Sequence, residues 1–225
     1  MEQYLPLLAR TALFQGLTEG ELRQTLDCLG AVKRSYPRQS FLLRAGDQTQ
    51  SMGLLLTGSA LLVQEDLWGR RNILAKVGAG DAFAEAFAAA GGPLNLSVVA
   101  HEDCEALLLD LNRVLTICPS ACPSHTKLVH NLVAVLAQKL LVLNDKITHM
   151  SRQTTQEKLL SYLSAQAQRQ GKLTFDIPYD RQQLADYLCV DRAAMSSELS
   201  KLQKKGLLQY RRNHFTLFAH PFEEG

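Results

Sequence analysis

The 225-residue chain reads as an α+β protein in three parts: an N-terminal all-β roll, one long helix, and a C-terminal helix-turn-helix followed by a wing. Three observations predict this. Short apolar runs punctuated by glycine fill the first half. A stretch without Gly or Pro then runs from Ser124 to Met150, with its apolar residues at helical spacing. Two cap-and-stripe patterns joined by a tight turn follow, and two alternating segments close the chain.

The first part, residues 1–118, opens with a helical stretch. Thr18 is placed to cap Glu19 to Leu29, and Glu21 sits in the first turn, where an acid complements the exposed N–H groups. Strands are expected at Phe41–Leu43, Met52–Leu56, Ala60–Val63, Asn72–Ala75, Leu96–Ala100 and Ala106–Leu109. Turn signals separate them at Gly46-Asp47, Gly58-Ser59, Trp68-Gly69, Gly78–Asp81 and Gly91-Gly92-Pro93. Short strands at this spacing indicate a sandwich or barrel.

Residues 119–150 form the second part. Leu132, Leu136, Leu140, Leu143, Ile147 and Met150 step by three or four positions, close to a coiled-coil seam. A helix of about 27 residues would extend about 40 Å. So long a helix needs support along its length. The roll and the same helix of a second subunit are both expected to supply it, which implies a homodimer.

The third part, residues 151–225, starts at Thr154-Thr-Gln-Glu157, a capping-box pattern whose helix carries Leu159, Leu160 and Leu163 inward. A short strand is expected over Leu173–Ile177. Asp180 caps a helix over Arg181–Leu188 that buries Leu184, Ala185 and Leu188. Cys189-Val190 turns the chain. Asp191 then caps Arg192–Lys204, with Met195, Leu199 and Leu202 inward. Leu207–Tyr210 and His214–Phe218 read as two wing strands around Arg211–Asn213. In a helix-turn-helix the second helix enters the major groove. Arg192, Ala193, Ser196 and Ser197 are therefore the expected base readers, with Arg192 able to donate twice to guanine. Arg181, Lys201, Arg211 and Arg212 are the expected phosphate contacts.

Charge agrees with this placement. Residues 1–150 hold 13 basic and 14 acidic side chains, a net −1, whereas residues 151–225 hold 11 and 8, a net +3. Lys201 to Arg212 contains five basic residues and no acid, which suits a polyanion. No uninterrupted apolar run reaches the roughly 18–20 residues of a membrane span, and no signal-peptide pattern opens the chain, so a cytoplasmic protein without a membrane partner is expected. The five cysteines, Cys28, Cys104, Cys118, Cys122 and Cys189, are an odd number and argue against a disulfide framework. The Cys118/Cys122 pair has no second pair nearby and defines no metal site. His101-Glu102-Asp103 lacks ligand spacing, and no catalytic constellation stands out. A small-molecule binding protein or an enzyme on a β-roll, without DNA regulation, is the alternative class.

Gly46-Asp47, Gly58-Ser59, the Glu65-Asp-Leu-Trp-Gly69-Arg hairpin, Gly80-Asp81-Ala-Phe-Ala-Glu85 and the Leu184–Leu202 segment resemble, in order, the CRP/FNR family of dimeric transcription regulators. The C-terminal segment is similar to the HcpR-like subgroup, some of which are thought to sense nitric oxide through haem. The resemblance implies a cyclic-nucleotide-binding-like roll, a dimerisation helix and a winged helix-turn-helix. It also implies promoter DNA, a small-molecule effector and, for an activator, RNA polymerase as partners. Members that bind cyclic AMP use a glutamate for the ribose and an Arg-Ser pair for the phosphate. Glu85 stands at the first position, but Leu94-Asn95 stand at the second, and no Arg or Lys lies between Lys76 and Arg113. Cyclic AMP is therefore not expected. The pocket implied by Phe83, Ala84, Glu85, Ala86, Phe87, Leu94, Asn95, Leu96 and Val98 suits an apolar effector or haem. His130 and His149 on the long helix are the candidate axial ligands.

Overall fold

The computed structural model describes residues 1–115 and 123–218. Cys118, Cys122, His220 and the expected boundary after residue 118 lie outside the described residues. Two compact units are defined. The first takes Met1–Arg70 and Leu74–Leu140; the second takes Arg71–Ile73 and the chain from Leu141 onward.

In the first unit, the helices α1 (Leu5–Leu8) and α2 (Glu19–Cys28) precede the strands. The Thr18 hydroxyl caps α2 and Glu21 returns the bond to the Thr18 N–H, so two otherwise orphaned donors are satisfied. The strands are β1 (Val32–Tyr36), β2 (Phe41–Leu43), β3 (Ser51–Thr57), β4 (Ser59–Glu65), β5 (Arg71–Gly78), β6 (Ala82–Phe83), β7 (Ser97–Ala100) and β8 (Cys104–Asp110). The short helix α3 (Glu85–Ala90) lies between β6 and β7, and α4 (Leu111–Leu115) follows β8. They form two four-stranded sheets, ordered β1-β8-β3-β6 and β2-β7-β4-β5.

The β1-β8-β3-β6 sheet is the middle layer. Met52, Leu54 and Leu56 of β3 and Leu107 and Leu109 of β8 face a core shared with α1, α2 and the start of the long helix. Leu55, Cys104 and Ala106 face the opposite core, against β2 and β7. Successive strand residues point to opposite faces, so a strand buried on both faces reads as a continuous apolar run rather than an alternation.

Gly53 is required on β3. A Cβ there would lie 2.0 Å from the Phe83 ring, so the ring rests directly on the strand backbone. Phe83 is fully buried in the core between the sheets.

The helix α5 (Pro123–Met150) is shared by both units. By length and composition it is long and apolar enough to cross a membrane. Polar residues such as Gln138, Lys139 and Asp145 still interrupt it, so the expectation that no uninterrupted apolar run reaches that length stands. Leu128 and Leu132 are buried in the first unit's core, with Val135 and Leu136 packed beside them. Val133, Leu140, Leu141, Leu143 and Ile147 are exposed. The expected seam is thus corrected at Leu132 and Leu136, which their own unit uses. The exposed positions Val133, Leu140 and Ile147 recur every seven residues.

The second unit contains α6 (Thr155–Gln170), β9 (Thr174–Asp176), α7 (Arg181–Leu188), α8 (Arg192–Lys204), β10 (Leu208–Arg211) and β11 (His214–Leu217). Thr154 and Glu157 form the expected capping box. On α6, Tyr162 is buried with Leu159 and Leu163, while Leu160 is only half-buried. The expected two-strand wing has a third member, since β9 pairs with β11 at Phe175↔Phe215.

Candidate functional site

The helix-turn-helix is built by local chemistry. The Asp180 carboxylate accepts the Gln183 N–H at 2.8 Å, and the Gln183 side chain accepts from the Asp180 N–H at 3.0 Å. Helix α7 ends at Cys189, whose φ of 52° is left-handed, so the chain reverses within two residues. Asp191 caps α8 by accepting the Ala194 N–H at 2.8 Å. Leu184, Leu188, Met195, Leu199 and Leu202 are fully buried, which fixes the roll of α8 about its axis.

That roll leaves Arg192, Ala193 and Ser197 exposed on the first two turns. The Arg192 guanidinium has no ion-pair partner among the described residues. Ser196 is half-buried and donates its hydroxyl to the Arg192 carbonyl at 2.9 Å, so only its acceptor lone pairs face outward. A groove of about 490 Å³ runs between the start of α6 and α8, bounded by Thr154, Thr155, Ser197 and Lys201.

The cations named for phosphates differ in state. Arg211 and Arg212 are exposed on the wing turn, and Arg212 takes a left-handed φ of 54°. Lys201 is paired with Glu198 at 2.7 Å, so it is not a free cation. Arg181 is not a simple surface cation either. Its guanidinium stacks on Tyr210 at 4.6 Å and Phe215 at 5.1 Å. Burial lowers its pKa from the ordinary arginine value, and its Nη2 is buried without a hydrogen-bond partner among the described residues. The flat cation serves first as a filler between the first helix and the wing.

In the first unit the residues expected to line a pocket divide. Phe83, Ala84, Leu96 and Val98 belong to the core between the sheets, and Leu94 is buried. Ala86 and Asn95 are exposed and Phe87 is half-buried. Phe83 is corrected from pocket wall to core, because its ring is pressed onto Gly53. Ala84 holds a left-handed φ of 61° at the start of α3, a conformation non-glycine residues adopt at a cost.

Glu85 has a partner that local sequence concealed. Its side chain is 6% exposed and pairs with Lys139 of α5 at 2.7 Å. Lys139 also donates to the Ala82 carbonyl at 2.6 Å, while Glu85 Oε2 is buried without a hydrogen bond among the described residues. The cation missing between Lys76 and Arg113 is thus supplied 54 residues downstream, and it is bound to the carboxylate. Of the candidate axial histidines, His130 is exposed. His149 is committed elsewhere: its Nδ1 meets the Ser161 hydroxyl at 2.9 Å and its ring stands edge-on to Tyr162. Burial holds its pKa below the usual histidine value. Glu102 and Asp103 accept bonds from Ser59 and the Arg38 N–H, as turn residues do.

Residues 33–120 match the cyclic nucleotide-binding domain family, and residues 157–219 match the Crp-like helix-turn-helix domain family. The chain is 27% identical to the cyclic AMP receptor protein of Thermus thermophilus over 198 residues, 88% of each protein. Among solved structures, FixK2 from Bradyrhizobium japonicum superposes with a TM-score of 0.64 at 22% identity, over 84% of this chain and 93% of that one. The regulator CLP from Xanthomonas campestris gives 0.69 at 18% identity, over 90% and 100%. Fold and helix-turn-helix together define a DNA-binding transcription regulator that carries an effector-binding domain. Within that class, the chain carries a cyclic nucleotide-binding domain followed by a Crp-like helix-turn-helix domain, and it is similar to the regulators of the CRP/FNR family.

Proposed function

We propose that the protein is a homodimer that reads a palindromic promoter site with α8 and is gated by a small molecule, other than cyclic AMP, bound in the roll. It works in the cytoplasm, by binding rather than catalysis, and contacts RNA polymerase where it activates. The observation that carries the DNA-reading part is Arg192, exposed and without an ion-pair partner among the described residues at the capped start of α8, where a recognition helix meets base edges. Phosphates are held by Arg211 and Arg212. Arg181 and Lys201 join them only after leaving their present partners.

Dimerisation rests on the exposed apolar stripe Val133, Leu140, Leu143 and Ile147. Paired with its copy, this stripe forms a heptad seam. Relatives bear names linked to cyclic AMP, to c-di-GMP and to the ligand OCPA, so the fold by itself does not fix the effector. Here Leu94-Asn95 offer no charge to a cyclic phosphate, and Lys139 is spent on Glu85. A buried phosphate without a cation is costly.

In ultracentrifugation the wild type is expected to sediment as a dimer and Ile147→Asp as a monomer with an unchanged circular-dichroism spectrum. Selection from a randomised duplex library is expected to yield two half-sites about 34 Å apart. Affinity should fall steeply with salt. Retention of no duplex by the dimer, with or without extract-derived small molecules, overturns the reading. Calorimetry with cyclic AMP is expected to show no binding heat. An absorption scan and mass spectrum of protein purified without oxygen identify the effector, and a Soret band there would replace the small molecule by haem.

A further inference from the structure

Lys146 is the one lysine of α5 whose charge is taken fully inside the second unit. The residue is 4% exposed, and no carboxylate lies within ion-pair distance of its ammonium among the described residues. Its donors go to the Ile73 carbonyl at 2.5 Å and the Asn72 side-chain oxygen at 3.0 Å. Its third contact is the face of the Tyr187 ring, 4.5 Å away. Tyr187 lies on α7 and stacks on Tyr179 at 4.8 Å; Tyr162 of α6 packs against both. A single ammonium thus ties the end of the long helix to the edge of β5 and to the helix that backs α8.

We propose that Lys146 is a positioning residue for DNA reading: its positive charge holds α7, and through α7 the recognition helix, in the geometry that discriminates sequence. It touches no DNA and acts through Tyr187. A buried cation is held by carbonyl dipoles and a ring face only while it is charged. Loss of the proton abolishes the ring contact and loosens α7 from α5.

The surroundings make that loss accessible. Desolvation lowers the Lys146 pKa from 10.5 to about 8, opposed only by the Cys189 thiol beyond α7. The other titratable and charged groups around it are engaged or point outward. On α5, Asp145 is paired with Arg169 of α6 at 2.8 Å, and His149 is bonded to Ser161. From α7, burial raises the Tyr187 hydroxyl to about 12. On β5, Arg71 is exposed. The charge is therefore present below pH 8 and lost above it, well before an ordinary lysine would titrate.

The test uses the full chain and a duplex selected by it at pH 7, with fluorescence anisotropy read from pH 6.5 to 9.5 beside a mixed-sequence duplex of equal length. The ratio of the two affinities removes general effects of pH on phosphate contacts. For the wild type the ratio should fall about tenfold or more as pH rises through 8, and Cys189→Ser should behave the same. Lys146→Arg keeps its charge across the range, so its ratio should stay high and flat. Lys146→Met should be low and flat. A wild-type ratio that does not change with pH, or a fall that Lys146→Arg shares or Cys189→Ser abolishes, overturns the proposal. If Lys146→Met does not fold, by circular dichroism, the wild type, Lys146→Arg and Cys189→Ser decide it. Failure of the wild type to prefer any duplex at pH 7 would instead refute sequence reading by α8, on which the proposal rests.

Discussion

Replacing Arg192 with alanine removes one guanidinium from each subunit of the proposed dimer. Arg192 is exposed, and no acid pairs with it among the described residues, so the change breaks no ion pair there. Alanine is also the residue most compatible with a helix interior. The melting temperature should therefore stay within about 2 °C of wild type, because surface changes of this kind shift stability by less than about 0.5 kcal/mol. Binding is different. A two-bond contact to guanine is worth about 1–3 kcal/mol. Two half-sites double it to about 2–6 kcal/mol, an affinity loss between about 30-fold and about 20,000-fold. Loss of one phosphate-class charge would instead weaken all duplexes alike. The assay is anisotropy on the selected duplex and on a mixed-sequence duplex at fixed salt. Equal losses on both, or no loss on the selected duplex, would refute base reading by Arg192.

Lys139→Met strands the buried Glu85 carboxylate. It should lower the stability of the first unit by about 2–4 kcal/mol, discounted from the roughly 3–5 kcal/mol of a fully buried broken pair because Lys139 is one-third exposed. Adding Glu85→Gln should recover most of that loss in urea denaturation; no recovery would show that the pair is not the source. Gly53→Ala should cost about 2 kcal/mol or more by overpacking against the Phe83 ring. Phe83→Leu in the same chain should restore part of it, and additive losses would refute the contact. Acid should weaken the protein in a defined window. The Thr18 cap lowers the Glu21 pKa to about 2 from 4.5, and bonds to Thr154 and Lys33 lower Glu157 and Glu105. Their stabilisation is complete above the unfolded value and lost as pH falls from about 4.5 towards 2. Glu21→Gln should flatten part of that decline in denaturation midpoint, and a midpoint that rises below pH 4.5 would contradict the sign.

The C-terminal unit was legible because its signals are local. Asp180 with Gln183, and Asp191 ahead of an apolar stripe, state where each helix starts and which face turns inward. The roll was legible in outline, since β3 and β8 advertise themselves as apolar runs. Strand β1 was not: Val32 to Tyr36 is almost wholly exposed, and it forms as the edge partner of β8 through backbone bonds, which no side-chain pattern records. Strand β6 is two residues long, below any periodicity. The long helix carries two apolar faces, so its spacing announces a helix without revealing which face its own domain uses. That ambiguity displaced the expected seam at Leu132 and Leu136. Lys139 and Glu85 are far apart in sequence, and the charge balance of the effector region became visible only when the chain folded. Lys201 and Arg181 were correctly recognised as cations, but their partners Glu198 and Tyr210 belong to neighbouring turns and strands.

One face of α5 shows a further regularity. His125 bonds the Val114 carbonyl at 2.7 Å, Lys139 the Ala82 carbonyl and Lys146 the Ile73 carbonyl, with buried Leu132 completing a series seven residues apart, about 10 Å per step. Each of these three bonds ends on a main-chain oxygen, although Lys139 also pairs with the Glu85 carboxylate and Lys146 also donates to the Asn72 side chain. Mutation at positions 73, 82 or 114 leaves that oxygen in place so long as the backbone holds, whereas each donor is one codon change from being lost. The heritable variation in how this helix is moored is therefore concentrated on the helix. Apart from Glu85 and Asn72, whose side chains also hold Lys139 and Lys146, the positions it rests on can exchange side chains without removing these acceptors.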